Sequence, residues 1–205
     1  MAGTTTSSLD NSGEPSGTRR DLLIQFNSAI DDLADFLPLS VNSPAVGNVG
    51  AGEDDLMTYA MAANVLNAAS NGVRICAWGS AANNANAKTL KLYLGTATII
   101  SQSLTASIAG KWVIDAVVLR TGSDTQDIFG VIHESTATLS ATDKSAIEIG
   151  TATQDEDAAI TIKCTGEATT TNDIVQEGFV ITALRVAGDL GAAKIGDMAG
   201  TAITV

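Results

Sequence analysis

The chain has 205 residues, a net charge of −12 at pH 7 and 19 glycines, and only 4% of its residues are aromatic. This length suits one domain with appendages, and its core needs no disulfides. The acidic balance, the scattered basic residues and the lack of any apolar run near the roughly 20 residues that cross a bilayer exclude nucleic acid and membranes as expected partners.

The N-terminal part is predicted to be a flexible arm followed by a helix. Residues 1–17 are small, polar and unperiodic. An amphipathic helix is predicted over 18–38, because Thr18 and Asp21 form an acidic capping box and Pro38 ends the pattern. Its apolar residues form the seam of a short coiled coil and are the candidate oligomer or anchor interface: Leu23, Phe26, Ile30, Leu33 and Leu37. With only about two heptads, a helix folded back on its own domain is an equal alternative.

A linker is predicted over residues 39–53, which are rich in Pro, Gly and Asn. A Gly/Ala-rich tail, residues 186–205, ends the chain. The tail has too few large apolar residues to build a core. Its last four residues are suited to add as a strand to a sheet edge, and a disordered end is the alternative.

Between linker and tail, residues 54–185 are predicted to form an all-β domain. Turn signals separate eight segments that suit strands: Leu56–Met61, Gly72–Ser80, Lys88–Leu94, Thr96–Leu104, Lys111–Arg120, Asp127–Glu134, Ala159–Gly166 and Ile174–Arg185. Short alternating strands without helical periodicity are typical of a sandwich or barrel, and a jelly roll has eight strands. The sequence therefore predicts an eight-stranded jelly-roll β-sandwich with a short N-terminal helical arm.

The segment Lys111–Arg120 is apolar on both faces except at Asp115. In a sandwich the second sheet covers only one face, so we expect the other face to be covered as well, with another subunit as a candidate. A carboxylate among apolar neighbours needs a partner. Lys91 and Arg120 are candidates for that ion pair.

No set of residues suited to catalysis is evident. The single histidine, His133, has no sequence cue for a nucleophile partner. The clusters Glu53-Asp54-Asp55 and Asp155-Glu156-Asp157 lack the spacing of a calcium-binding loop. We therefore expect no enzyme, no catalytic residue and no metal or other cofactor.

Two tryptophans and two cysteines allow more than one interpretation. Trp78 and Trp112 suit stacking on a sugar, but in a chain with so few aromatics we prefer a role in filling the core. Cys76 and Cys164 have no metal-binding spacing, and buried free thiols are the preferred interpretation. A cross-sheet disulfide is the alternative.

Over about residues 54–185 the chain resembles a known family, through the stretches NVLNAASNGVRICAWGSAANNANAKTLKLYLG, KWVIDAVVLRTGSDTQDI and AITIKCTGEATTTNDIVQEGFVI. The family is a jelly-roll module of virion structural proteins of tailed bacteriophages, found in head-decoration (cement) proteins and in fibre- or spike-associated proteins. The shared residues belong to the framework, so no catalytic or binding residue is carried over.

The resemblance implies a homotrimer, made in the host cytoplasm and seated on the surface of the phage particle. The leading hypothesis is a non-enzymatic decoration protein that binds the major capsid protein and stabilises its lattice. The alternative is a tail- or head-fibre component that carries a receptor- or glycan-binding jelly-roll tip, with another virion protein as its partner. A carbohydrate-binding module or carbohydrate-active enzyme is more remote.

Overall fold

The computed structural model describes residues 38–105, 110–136 and 144–185, which form eleven strands and no helix. The strands are β1 (Pro38–Asn42), β2 (Val46–Gly47), β3 (Gly52–Met61), β4 (Gly72–Ala81), β5 (Thr89–Leu94), β6 (Ala97–Ser103), β7 (Gly110–Gly122), β8 (Thr125–Thr136), β9 (Lys144–Ala152), β10 (Ile160–Ala168) and β11 (Ile174–Leu184). Within these residues there is no helical segment of the length and apolarity that a bilayer crossing requires. The predicted all-β class is confirmed.

The strands form two antiparallel sheets that pack face to face as a sandwich. The larger sheet has the order β1-β11-β4-β7-β8-β9, with β2 also paired to β11, and the smaller sheet has the order β3-β10-β5-β6. Four of the pairs are nested along the chain: β5 with β6 is enclosed by β4 with β7, then by β3 with β10, and then by β1 with β11. Successive pairs lie in alternate sheets, whereas β8 and β9 extend the larger sheet beyond β7.

The core is filled by the residues that the alternating patterns point inward. Ile75 of β4, Leu92 of β5 and Ile114 of β7 are fully buried between the sheets. Trp112 closes one end of this layer, and its indole Nε1 donates a hydrogen bond to the backbone oxygen of Ser80 at 3.2 Å. The periodicity of the sequence is therefore the physical cause of the two-layer arrangement.

Each of the eight predicted strands corresponds to an observed strand, but the described residues contain three more, β1, β2 and β9. The segment 39–53, expected to be a linker, contains most of β1, all of β2 and the start of β3. Pro38 is the first residue of an edge strand, where its missing N–H costs no ladder hydrogen bond. Pairing with β11 thus overrides the turn-like composition of this segment.

Several predicted features lie outside the described residues. These are the arm 1–17, the helix up to residue 37 and the tail 186–205.

Candidate functional site

The two outer faces of the sandwich differ in chemistry. The outer face of the smaller sheet carries a polar network centred on Glu53. Its carboxylate accepts hydrogen bonds from Lys91 Nζ at 2.6 Å, from the Tyr93 hydroxyl at 2.8 Å and from the Thr165 hydroxyl at 2.6 Å. Lys91 Nζ also donates to Glu167 at 3.1 Å. This face satisfies its own polar groups and is suited to water.

The ionisation of Glu53 reflects the same network. Partial burial raises the pKa of Glu53, but the hydrogen bonds from Lys91, Thr165 and Tyr93 together lower it more, to about 2. The pKa of Lys91 is raised in turn, chiefly by its hydrogen bonds to Glu53 and Glu167. Both groups are therefore charged throughout the neutral range.

The outer face of the larger sheet is apolar instead. Seven large apolar side chains are exposed in the described part of the chain, and the strand registers place six of them on this face: Val41, Trp78, Leu119, Phe129, Ile147 and Ile149. Val113, Val117, Val131 and Val180 lie between them and are half-buried. An apolar area that extends across several strands is typical of an interaction surface.

The most exposed part of this face lies at the β9 edge. Ile149 is opposite Phe129 and Ile147 is opposite Val131, and the isoleucines are 80% and 64% exposed. We define the β7–β9 patch as the outward apolar residues of these three strands, Val117, Leu119, Phe129, Val131, Ile147 and Ile149. Part of the patch lines a shallow depression of about 370 Å³. Because β9 is an edge strand, the patch ends at a row of backbone groups that has no partner strand among the described residues.

A charged pair lies within the apolar face. Asp115 of β7 is held by Arg74 of the neighbouring strand β4, whose Nε and Nη2 donate to the two carboxylate oxygens at 2.9 and 2.5 Å. The prediction that Lys91 or Arg120 pairs with Asp115 is wrong. Lys91 lies on the smaller sheet, and Arg120 donates instead to the buried Glu156 at 2.5 Å. Arg74 is diagonal to Asp115 across the strand pair, a relation that becomes visible only when the register is known.

The two tryptophans have different environments. Trp112 is 2% exposed and fills the core as expected, whereas Trp78 is 38% exposed on the outer face. Trp78 lies at one end of a shallow groove of about 410 Å³, which Lys111, Val113, His133 and Glu177 also line. We call this feature the Trp78 groove.

The acidic clusters are divided among separate partners. Glu53 pairs with Lys91, Glu156 pairs with Arg120, and Asp55 accepts a hydrogen bond from Lys163 at 2.7 Å. Among the described residues, no group of three or more His, Cys, Asp or Glu side chains is arranged to hold a metal ion.

The cysteines are free thiols. Cys164 of β10 is fully buried in the core, whereas Cys76 of β4 is half-buried on the outward side of the other sheet. Burial raises the pKa of both thiols. The alternative of a cross-sheet disulfide is wrong, because the two side chains point in directions that do not meet.

The candidate interface residues Leu23, Phe26, Ile30, Leu33 and Leu37 lie outside the described residues. The structure shows a second candidate interface, the β7–β9 patch. The sequence predicts only its β7 part, because the segment Lys111–Arg120 is apolar on both faces. For the β9 part of the patch, the sequence signal is the alternation of Ile147 and Ile149 around Glu148, which is typical of a strand with one apolar face.

No protein-family model matches the chain, and no curated protein sequence is similar to it. Several solved structures are similar in shape at low identity. The CBM2 module of the evolved Dit of Lactobacillus casei BL23 phage J-1 is 7% identical with a TM-score of 0.36, over 66% of this chain and 74% of that one. The protein of infectious bursal virus derived T=1 particles is 12% identical with a TM-score of 0.33, over 75% and 33%. A legume lectin-like domain from Entamoeba histolytica is 6% identical with a TM-score of 0.26, over 91% and 100%.

Proposed function

We propose that the protein is a non-enzymatic structural protein of a tailed-bacteriophage virion, a trimeric capsid decoration protein that attaches to the major capsid lattice through the β7–β9 patch of its larger sheet. The observation that supports this proposal is the β7–β9 patch. The family resemblance of residues 54–185 supports the location in a virion.

The contrast between the two outer faces argues for attachment through the larger sheet. On the smaller sheet, charged and hydroxyl groups are bonded to one another, so contact with a partner would have to break those bonds. On the β7–β9 patch, covering one isoleucine contributes about 1.5–3 kcal/mol. An apolar centre with polar surroundings is the usual composition of a protein–protein interface.

The sandwich itself is a jelly roll with additions. Its nested pairs, β5 with β6, β4 with β7, β3 with β10 and β1 with β11, alternate between the sheets as a rolled-up hairpin does. Strands β8 and β9 are additional to these eight, and they supply Phe129, Val131, Ile147 and Ile149. The addition to the basic fold thus carries most of the proposed attachment surface.

A trimer would strengthen attachment without enlarging the patch. Once one subunit of a trimer has bound the capsid, the patches of the other two subunits act at high effective concentration. A modest contact by each subunit therefore gives a high overall affinity. Light scattering of the full chain at micromolar concentration is expected to give the mass of a trimer. A stable monomer would contradict this part of the proposal.

The attachment surface is tested by co-sedimentation of the full chain with capsids that lack it. We expect Ile147→Asp with Ile149→Asp to lower bound protein at least about tenfold, because two carboxylates would lose their hydration in the contact. The matched control is Thr161→Asp, an exposed position on the outer face of the smaller sheet. Equal loss in both variants, or no loss in the isoleucine variant, would overturn the proposed surface.

A further inference from the structure

We propose that the Trp78 groove binds a neutral saccharide chain, with the indole of Trp78 as the stacking platform. This inference goes beyond the structural role proposed above and does not depend on it. The groove lies on the outer face of the larger sheet, beside Lys111 and Glu177 and next to the β7–β9 patch.

The orientation of the indole ring of Trp78 favours stacking. A Cβ built at Gly178, the neighbour of Trp78 on β11, would lie 2.0 Å from Cζ2 of the ring and 2.3 and 2.5 Å from the two atoms bonded to Cζ2. Because the two flanking atoms are only slightly farther away, the Cβ would sit above the ring face rather than beyond its edge. The indole therefore lies flat over the glycine backbone. Its other face is turned to solvent, which accounts for its 38% exposure.

A flat, exposed indole is suited to the apolar face of a sugar ring. The C–H groups on one side of a pyranose form a flat apolar surface, which an aromatic ring covers at little conformational cost. Any side chain at position 178 would displace the indole, so the glycine at the β11 irregularity is what keeps the platform flat.

The rim of the groove is polar. Lys111 Nζ donates to both oxygens of Glu177 at 2.7 and 2.9 Å, and the Ser80 hydroxyl donates to Glu177 Oε1 at 2.8 Å. The ammonium and the carboxylate retain further hydrogen-bonding capacity toward solvent. They therefore offer a donor and an acceptor beside the platform, which is what the hydroxyl groups of a sugar require.

The length and charge of the groove suit a short neutral saccharide. Trp78, Val113 and His133 are cross-strand neighbours on β4, β7 and β8, so the tryptophan and the histidine are two strand spacings apart, about 10 Å. A disaccharide spans such a distance. The cation and the carboxylate on the rim balance each other, and the chain carries a net charge of −12, which favours a neutral sugar over an acidic one.

The test uses the full chain and four neutral hexasaccharides as probes, made of α-linked glucose, β-linked glucose, β-linked galactose or β-linked N-acetylglucosamine. Isothermal titration calorimetry is expected to show binding of at least one probe with a Kd of about 1 mM or below. Tryptophan fluorescence should change on binding, because Trp78 is exposed whereas Trp112 is buried.

Two variants and one control separate the site from the rest of the face. Trp78→Ala should weaken binding of that probe at least about tenfold and abolish the fluorescence change, and Glu177→Gln should weaken it by a smaller factor. Phe129→Ala, in the β7–β9 patch, should bind as the wild type does. Urea unfolding confirms that each variant is folded. Failure of all four probes to bind, undiminished binding by folded Trp78→Ala, or an equal loss in Phe129→Ala would overturn the proposal.

Discussion

At the residue scale, the buried polar side chains are positioned by mutual hydrogen bonds. Lys88 is almost fully buried, and its ammonium donates to Asn84 Oδ1 at 2.7 Å and to the backbone oxygens of Asn84 and Asn86, both at 3.2 Å. Asp173, also buried, accepts hydrogen bonds from Asn84, Asn86 and Thr170. Burial raises the pKa of Asp173, but these bonds lower it more, to well below its ordinary value. The asparagine-rich loop before β5 is thus held by Lys88 from within the loop and by Asp173 from the turn before β11.

The ammonium of Lys88 is expected to be essential to this loop. In Lys88→Met the side-chain volume is nearly kept, but three part-buried oxygens of Asn84 and Asn86 lose the hydrogen bond from the ammonium, so the free energy of unfolding should fall by about 1–3 kcal/mol. Urea denaturation measures the change. Lys144→Met, at an exposed position, is the control and should change stability by no more than about 0.5 kcal/mol. Equal stability of Lys88→Met and wild type would show that the loop does not depend on the ammonium.

Glu53 predicts a specific dependence of stability on pH. Its pKa is about 2 in the folded protein against an ordinary value of 4.5, so the folded state favours the ionised form. The stabilisation from Glu53 is therefore fully present above pH 4.5 and is lost as the pH falls toward 2. The difference in unfolding free energy between wild type and Glu53→Gln should shrink over this range. In a Lys91→Met background this free-energy difference should change less with pH, because Glu53 has lost one of its hydrogen-bond donors. A free-energy difference that stays constant down to low pH in the wild-type background would contradict the lowered pKa of Glu53.

At the element scale, local pattern predicted strands well where the strand has a buried face. The alternation in β4, β5 and β7 places an unbroken row of apolar residues in the core, and these strands were predicted within about one or two residues at most ends, the usual uncertainty of an element boundary. The pattern does not identify β1 and β9, because these edge strands bury almost none of their side chains. Most of β9 is exposed, so the burial that makes a strand recognisable in sequence is absent.

The face assignment of β8 and β9 has a direct test. Ile132 of β8 points into the core and is 1% exposed, whereas Ile147 of the neighbouring strand points outward. Ile132→Asp should prevent folding or lower the unfolding free energy by several kcal/mol, because it buries an unpaired carboxylate. Ile147→Asp should change it by no more than about 0.5 kcal/mol in the isolated full chain. Thermal unfolding measures both. The reverse order would mean that the register is shifted by one residue.

At the scale of the whole molecule, the sequence predicts the sandwich but not the different chemistry of its two outer faces. Asp115 illustrates the limit, since its partner Arg74 is 41 positions away in the chain and is identified only by the pairing of β4 with β7. The exposure of Phe129 likewise depends on the strand register, which places it on the outer face of the larger sheet, away from the smaller sheet. Such facts arise from tertiary arrangement, which local periodicity does not encode.

The predicted N-terminal seam is tested by its effect on oligomeric state. Phe26→Asp with Ile30→Asp places two charges in the seam, so the oligomer should dissociate or lose mass while the circular dichroism of the β-domain stays unchanged. Light scattering of the full chain measures the mass. Gln25→Asp, off the seam, is the control. Unchanged assembly and unchanged particle binding in the double variant would show that the seam has no role in either.

We propose that the β7–β9 patch of the larger sheet is the surface through which this protein attaches to the capsid. The most direct measurement is a cryo-electron microscopy reconstruction of the purified virion that contains it. We predict three copies around each attachment point on the capsid surface, with Ile147 and Ile149 buried against the capsid protein and Glu53 and Lys91 facing solvent. A reconstruction in which the polar face of the smaller sheet contacts the particle, while the patch remains open to solvent, would contradict the account.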